Sequence, residues 1–221
     1  MKKLLFWMVL VVGIVALIGS CAKKDDDTAA TADNATSTTS TTKYMSTTTT
    51  ASGSITMGDD TLSGVYASEC LTSASLIAIF VNANVWPSEV KAYGNVFVVT
   101  GSDNISIELY AFTDTSCSNL SQSQKTVSDN VTFGSASGSN YPVTYNNQTQ
   151  ALTVHTTAAE TALETLYSNA LDFIVGTPIE LPVSGSGLRY GLWTLSGTTW
   201  YEASSSSATP TSAGTVPHVK Q

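Results

Sequence analysis

Side chains that could perform chemistry are few in this chain, which has three cysteines and two histidines. Residues 134–138 read Gly-Ser-Ala-Ser-Gly, so Ala136 occupies the position where a nucleophile elbow carries its serine. His218 lies in the C-terminal tail, and His155 belongs to an alternating segment where we expect it to be exposed. The sequence has no Cys-x-x-Cys pair, and two histidines do not supply a zinc site. We therefore expect no enzymatic activity, no metal and no cofactor.

Two routes to an enzyme stay open as alternatives. Glu108, Asp114 and Glu180 are carboxylates that could meet in space as a glycosidase pair, although nothing in their spacing favours that arrangement. A hydrolase would need His155 as its general base, so that alternative requires His155 to be essential for activity.

The first 21 residues have the organisation of a secretory signal. Lys2 and Lys3 precede an apolar run over residues 4–18, which is shorter than the about 20 residues of a membrane-spanning helix. The following Ile18-Gly19-Ser20-Cys21 resembles the lipobox of bacterial lipoproteins. In that family the cysteine thiol is diacylglycerol-modified, the signal is cleaved just before it, and the new amine is acylated. The resemblance therefore implies a signal peptide over residues 1–20 and a lipid on Cys21; the alternative is an uncleaved signal anchor reaching Ala22.

Charge and the residue after Cys21 indicate where the protein acts. Nine Lys and Arg against 17 Asp and Glu give a net charge of −8, which argues against a nucleic-acid partner. In the lipoprotein family an Asp directly after the modified cysteine retains the protein in the inner membrane. Ala22 stands there in this chain. The resemblance thus implies attachment to the outer membrane through lipid, at the periplasmic face or the cell surface.

Composition divides the rest of the chain into a linker, one domain and a tail. Residues 21–61 are rich in Ser and Thr and lack a hydrophobic period, so we predict a disordered, flexible linker. Residues 62–202 are long enough for one domain with a hydrophobic core. Residues 203–221 are again rich in Ser, Thr and Pro, which predicts a disordered tail.

The dominant period within residues 62–202 is two, which is typical of β-strands. Ile105, Ile107 and Leu109 alternate with polar or aromatic residues, and further strands are expected at 62–68, 76–81, 93–100, 126–133, 141–145, 152–154, 188–195 and 198–202. The polar run 146–150 is predicted to be a hairpin turn. Residues 158–173 have helical spacing and predict one helix, with Thr157 and Glu160 as its capping box. We therefore predict an all-β protein: one antiparallel up-and-down barrel of about eight strands with one helix.

Cys70 and Cys117 remain as an even pair once Cys21 carries lipid, and an exported protein meets an oxidising compartment. No His or Lys is adjacent in sequence to lower the pKa of either thiol, so a structural disulfide is favoured over reactive-thiol chemistry.

Two motifs around these cysteines resemble exported bacterial lipoproteins with lipocalin-like barrels. Residues 64–70, Gly-Val-Tyr-Ala-Ser-Glu-Cys, and residues 112–117, Phe-Thr-Asp-Thr-Ser-Cys, carry the likeness. Lipocalins open with Gly-x-Trp where this chain has Tyr66, and they pack a late Arg over that aromatic ring. The only Arg of this chain is Arg189, so the resemblance implies that it packs over Tyr66.

Two binding functions follow from this organisation. In the first, a lipocalin-like carrier holds a small hydrophobic ligand in its barrel, against aromatic side chains and the single Arg. The expected lining residues are Tyr66, Tyr93, Phe97, Tyr110, Phe112 and Arg189. In the second, a filled barrel presents its outer face or helix to another envelope protein. Both describe a non-catalytic envelope protein that works by binding or surface interaction, and fold alone does not choose between them.

Overall fold

The computed structural model describes residues 44–183 and 185–221. The predicted signal peptide (1–20) and the lipid-attachment residue Cys21 lie outside these residues. The described strands are β1 (Ile55–Met57), β2 (Asp60–Leu62), β3 (Val65–Ala67), β4 (Ala92–Val99), β5 (Ile105–Phe112), β6 (Leu120–Phe133), β7 (Asn140–Val154), β8 (Pro178–Leu181), β9 (Leu188–Ser196), β10 (Thr199–Ser205) and β11 (Pro217–Lys220). The described helices are α1 (Ala74–Asn82) and α2 (Thr157–Leu166).

Eight strands form a closed antiparallel barrel. Following hydrogen-bonded neighbours around the ring gives β3, β4, β5, β6, β7, β9, β10 and β11, and β11 returns to pair with β3. Strands that are consecutive in the ring are also consecutive in sequence, except that β8 comes between β7 and β9. Strand β8 pairs with the second half of β7, on the same edge that β9 occupies along the first half. The predicted all-β, up-and-down barrel of about eight strands is confirmed, and closure leaves the ring without a free edge.

The period-two pattern decides which side chains fill the barrel. On β5, Ile105 packs in the central core, with Ile107 against it, and the register places Ile107 opposite Phe97 of β4. Side chains alternate across a strand, so Tyr110 and Phe112 of β5 lie on the outer face. Both pack there in a second cluster that also contains Met45.

Each end of the barrel is covered by a different element. The β1–β2 hairpin inserts Ile55, Met57 and Leu62 into the core at the end where Val99 finishes β4. At the other end, α1 packs Ile77 and Phe80 against Trp86, Tyr93 and Ala111. The prediction of a strand over residues 76–81 is therefore wrong, because a short apolar run fits a buried strand and a buried helix equally well.

Helix α2 is shorter than the predicted range of 158–173. Thr156 is the N-cap residue, and its Oγ1 accepts a hydrogen bond from Ala159 N at 3.1 Å, in place of the predicted box that began at Thr157. Ala159 and Leu163 pack on Leu152 and Val154 of β7 in a cluster that also holds Phe173 and Leu181.

The predicted linker needs correction over residues 44–61. Residues 44–52, which we call the N-terminal strap, lie along the outside of β3 and β4 rather than forming free coil. Met45 N donates to Ser68 O at 3.1 Å, and Ser52 N donates to Val99 O at 2.9 Å. Met45 is buried, and its side chain occupies the space that Gly94 leaves open. The sequence analysis missed this ordered segment because its Ser and Thr content is typical of a disordered linker.

The predicted disordered tail, residues 203–221, is also corrected. It completes β10 and contributes β11, which pairs with β10 through Trp200 and His218 and with β3 through Tyr66 and Lys220. His218 is only 2% exposed and joins the barrel interior. A four-residue strand with one buried residue is too short to produce a recognisable alternation in the sequence.

Residues 146–150 are likewise part of a strand rather than a hairpin turn. Strand β7 runs through them without a break, and the turn lies earlier, near Ser137 and Asn140. The polar side chains are accommodated because β7 changes partners here, from β9 before residue 147 to β8 from Gln150. Asn147 also accepts a hydrogen bond from Ser128 Oγ at 2.8 Å.

The predicted disulfide between Cys70 and Cys117 is confirmed. It links the segment after β3 to the turn between β5 and β6. Asp114 organises that turn by accepting hydrogen bonds from the Ser116 hydroxyl and from Ser116 N and Asn119 N. The bond from the Ser116 hydroxyl is the main cause that lowers the pKa of the Asp114 carboxyl, and the Asn119 N bond adds to it. Among the described residues, no helix is long and apolar enough to span a bilayer.

Candidate functional site

A cavity of about 140 Å³ lies inside the barrel, between the central core and the end that α1 covers. One wall is apolar and comes from Phe97 of β4 and Ile107 and Leu109 of β5. The opposite wall is polar and contains ionisable side chains from the last strands of the ring. The polar and ionisable lining residues are Asn95, Gln124, Thr126, Tyr145, Asn147, Gln150, Arg189, Glu202, Ser204, Ser205, Ser206, Thr215 and His218. The cavity therefore suits a small ligand with both apolar and polar groups.

Glu202 is the one carboxylate among the residues that line this cavity. Burial raises the pKa of Glu202 from its usual 4.5 to about 7, and a hydrogen bond from Ser204 opposes that shift. Tyr145 also interacts with Ser204, and burial together with the nearby Glu202 charge raises the pKa of the Tyr145 hydroxyl. Near pH 7 the carboxyl therefore titrates, and its charged form lacks strong stabilisation.

Arg189 brings the opposite charge to the same cavity. It stands opposite Tyr145 in the β7–β9 register, and Glu202 stands opposite Trp193 in the β9–β10 register. Trp193 follows Arg189 by four positions on β9, so about 13 Å of strand lies between the two levels. Burial lowers the pKa of the Arg189 guanidinium, and its interaction with Tyr145 opposes that change. Each charge thus has a tyrosine or serine as its neighbour.

His218 closes the polar wall beside Glu202. Its ring meets Phe97 edge-on at 4.7 Å, and its Nδ1 lies 3.3 Å from Trp200 O. Burial lowers the pKa of His218 to about 4, so the imidazole is neutral at pH 7. With Nδ1 donating to the carbonyl, Nε2 is a hydrogen-bond acceptor, and it is buried without a partner in the described chain.

The segment between β10 and β11 covers one side of the cavity. Ser206, Thr215 and Val216 line the cavity from this segment. Gly214 lies so close to the backbone of Glu202 that an added Cβ would collide with the Glu202 carbonyl. Access to the interior therefore depends on how tightly this segment packs on β10.

The structure brings together only two of the six predicted lining residues, Phe97 and Arg189. Tyr66 lies deeper, packed edge-on against Trp200 with ring centroids 5.5 Å apart, and Tyr93 packs on Trp86 beneath α1. Tyr110 and Phe112 face outward under the N-terminal strap. The prediction is corrected for these four aromatic residues. Tyr110 and Phe112 occupy outward positions of β5, whereas Tyr66 and Tyr93 are packed in the clusters on either side of the cavity.

Arg189 also does not pack over Tyr66. The cation above that ring is Lys220 of β11, whose Nζ lies 5.9 Å from the ring centroid. Lys220 stands directly opposite Tyr66 in the β3–β11 register. The packing of Arg189 over Tyr66 that the resemblance implied is therefore wrong, and Arg189 lines the cavity instead.

The alternative enzyme residues are spread over the molecule. Glu108 is buried on the outer face, where Thr49 of the strap and Tyr110 donate hydrogen bonds to its carboxylate. Asp114 lies in the exposed β5–β6 turn, and Glu180 is exposed on β8. His155 is half-buried rather than exposed, with Nε2 lying 3.0 Å from Ser123 Oγ.

The most informative cavity residues, Glu202 and His218, were not predicted from the sequence. Both lie at the border of, or within, the segment that composition assigned to a disordered tail. Alternation in Thr199–Ser205 places Trp200, Glu202 and Ser204 on one face, and this is the signal that could have revealed Glu202. Within residues 44–183 and 185–221, no three His, Cys, Asp or Glu side chains cluster as metal ligands.

A scan against protein-family models and a search of the curated proteins found no match to this chain.

Proposed function

We propose that this chain is a lipid-anchored cell-envelope protein that binds a small molecule inside its barrel, in a non-catalytic role. The observation that carries the proposal is the 140 Å³ cavity, in which an apolar wall faces an ionisable wall. Drug-sized ligands occupy sites of about 300–1,000 Å³, so the volume supports a smaller ligand.

The lining supports a ligand that is only partly hydrophobic. Ile107 and Leu109 offer apolar contact, whereas Glu202 and Arg189 would lose hydration without compensation if an entirely apolar molecule filled the space. The carrier hypothesis is therefore retained with a changed ligand class. The anchorage is supported by the lipobox-like Ile18-Gly19-Ser20-Cys21, and Ala22 after it supports outer-membrane attachment.

One preparation tests both parts of this proposal. The full chain is purified from the membranes of a bacterial host, and its intact mass is measured before and after organic extraction. We expect a mass that begins at Cys21 with added acyl chains, together with a small molecule released in a near-stoichiometric amount. A chain that retains residues 1–20 without acyl mass contradicts the anchorage, and a chain that releases no small molecule contradicts the binding role.

A further inference from the structure

We propose that the barrel cavity recognises a small dipolar ligand, with a protonated amine held at Glu202 and an anionic group held at Arg189. This inference rests on the proposed function and names the chemistry of the ligand. It starts from the placement of two opposite charges on the wall of one small cavity.

Arg189 and Glu202 stand at different levels of the barrel wall, so the register does not place them side by side. Arg189 lies four residues before Trp193 on β9, and Trp193 is the direct cross-strand partner of Glu202. About 13 Å of strand separates the two levels, and Tyr145, which stands directly opposite Arg189, interacts with both charged residues. A ligand with charges at its two ends can contact each of them.

Other ligand classes fit the lining less well. A purely cationic ligand would be repelled by Arg189, and a purely anionic ligand would be repelled by Glu202. A neutral apolar ligand would displace water from both side chains and would form no hydrogen bond or ion pair to replace the lost hydration. A dipolar ligand compensates both half-buried charges, while Phe97, Ile107 and Leu109 contact its apolar middle.

His218 determines which end of the ligand lies at Glu202. It is 2% exposed, lines the cavity, and has its Nε2 buried without a partner. His218 is opposite Trp200, two residues from Glu202 on the same face of β10. Diagonal neighbours of this kind are about 7–8 Å apart, so one amine can donate to both the carboxylate and the imidazole.

The test compares four probes of equal chain length, 6-aminohexanoate, hexylamine, hexanoate and hexanol, by calorimetric titration into the full chain at pH 8. Titrations into detergent alone are subtracted. We expect 6-aminohexanoate to bind at least tenfold more tightly than each of the others. Glu202→Gln should reduce its affinity to that of hexanoate, and Arg189→Gln should reduce it to that of hexylamine.

Matched controls come from exposed charges away from the cavity. Glu180→Gln and Lys91→Gln should leave the affinity for 6-aminohexanoate within twofold of the parent value. Equal binding of hexanol and 6-aminohexanoate overturns the dipolar class but leaves the proposed function in place. If the dipolar probe does not bind, this inference is overturned as well, and the extraction experiment on the native protein decides the proposed function separately.

Discussion

Glu202 and His218 are two titratable residues whose pKa values move in opposite directions inside one barrel. The carboxyl has its pKa raised from 4.5 to about 7, and the imidazole has its pKa lowered from 6.5 to about 4. As pH rises from 4.5 to 7, the unfolded chain loses the Glu202 proton before the native state does, so stability falls. As pH falls from 6.5 to 4, the unfolded chain protonates His218 first, and stability falls again. The two effects oppose each other over the shared range.

We predict that Glu202→Gln removes the contribution of Glu202 to the pH dependence of stability, so that the opposite contribution of His218 becomes visible. The free energy of unfolding of the variant, minus that of the parent, should increase between pH 4.5 and 7 by about 1–3 kcal/mol, following about 1.4 kcal/mol per pKa unit. Urea denaturation at four pH values measures this difference. His218→Gln should show the reverse trend, and a pH-independent difference for both variants would contradict the burial of the two groups.

At the scale of elements, the segment between β10 and β11 covers one side of the cavity and packs against β10, so its packing affects ligand access. Gly214 touches the Glu202 backbone with no room for a side chain. We predict that Gly214→Ala displaces this segment, lowers Tm by several degrees and weakens binding of the extracted ligand by tenfold or more.

Gly134→Ala is the matched control for that substitution. An added Cβ at Gly134 would meet its nearest neighbour, Pro142 Cβ, at an ordinary 3.6 Å. Thermal unfolding and ligand titration of the two variants, side by side, separate a specific close approach from a general cost of replacing glycine. Equal behaviour of the two variants would exclude a special role for Gly214.

Sequence patterns predicted the elements whose signal is local and missed those defined by tertiary contacts. The sequence predicted β4 and β5 because each is an eight-residue run rich in β-branched and aromatic residues, which is a signal contained within the strand itself. The N-terminal strap and β11 were missed because their order comes from pairing with strands distant in sequence. The cavity lining was predicted only in part for the same reason. Phe97 and Arg189 were identified from the sequence, whereas Glu202 and His218 line the cavity only because the barrel closes.

At the scale of the whole molecule, closure of the barrel depends on four residues near the C-terminus. Strand β11 completes the ring, and Lys220 also covers the Tyr66 ring and donates to Ser63 Oγ at 3.0 Å. We predict that ending the chain after Val216 abolishes cooperative unfolding, because Trp200 and Phe97 lose the His218 side chain packed beside them and two strand edges open.

Circular dichroism during urea titration measures that loss of cooperativity. Lys220→Gln is the control, since it removes the charge but keeps the backbone pairing, and it should cost less than about 1 kcal/mol. A truncated chain that unfolds in a single sharp transition would show that the ring does not need its last strand.

The pairing of β3 with β11 also governs when the protein can become native. Tyr66 and Lys220 are roughly 150 residues apart, so this pairing has a high loop-closure cost and is expected to be slow. During synthesis, β3 keeps an exposed edge until β11 has been made. A chain that contains β3 to β10 but ends before β11 therefore presents an open, aggregation-prone sheet instead of a smaller closed barrel.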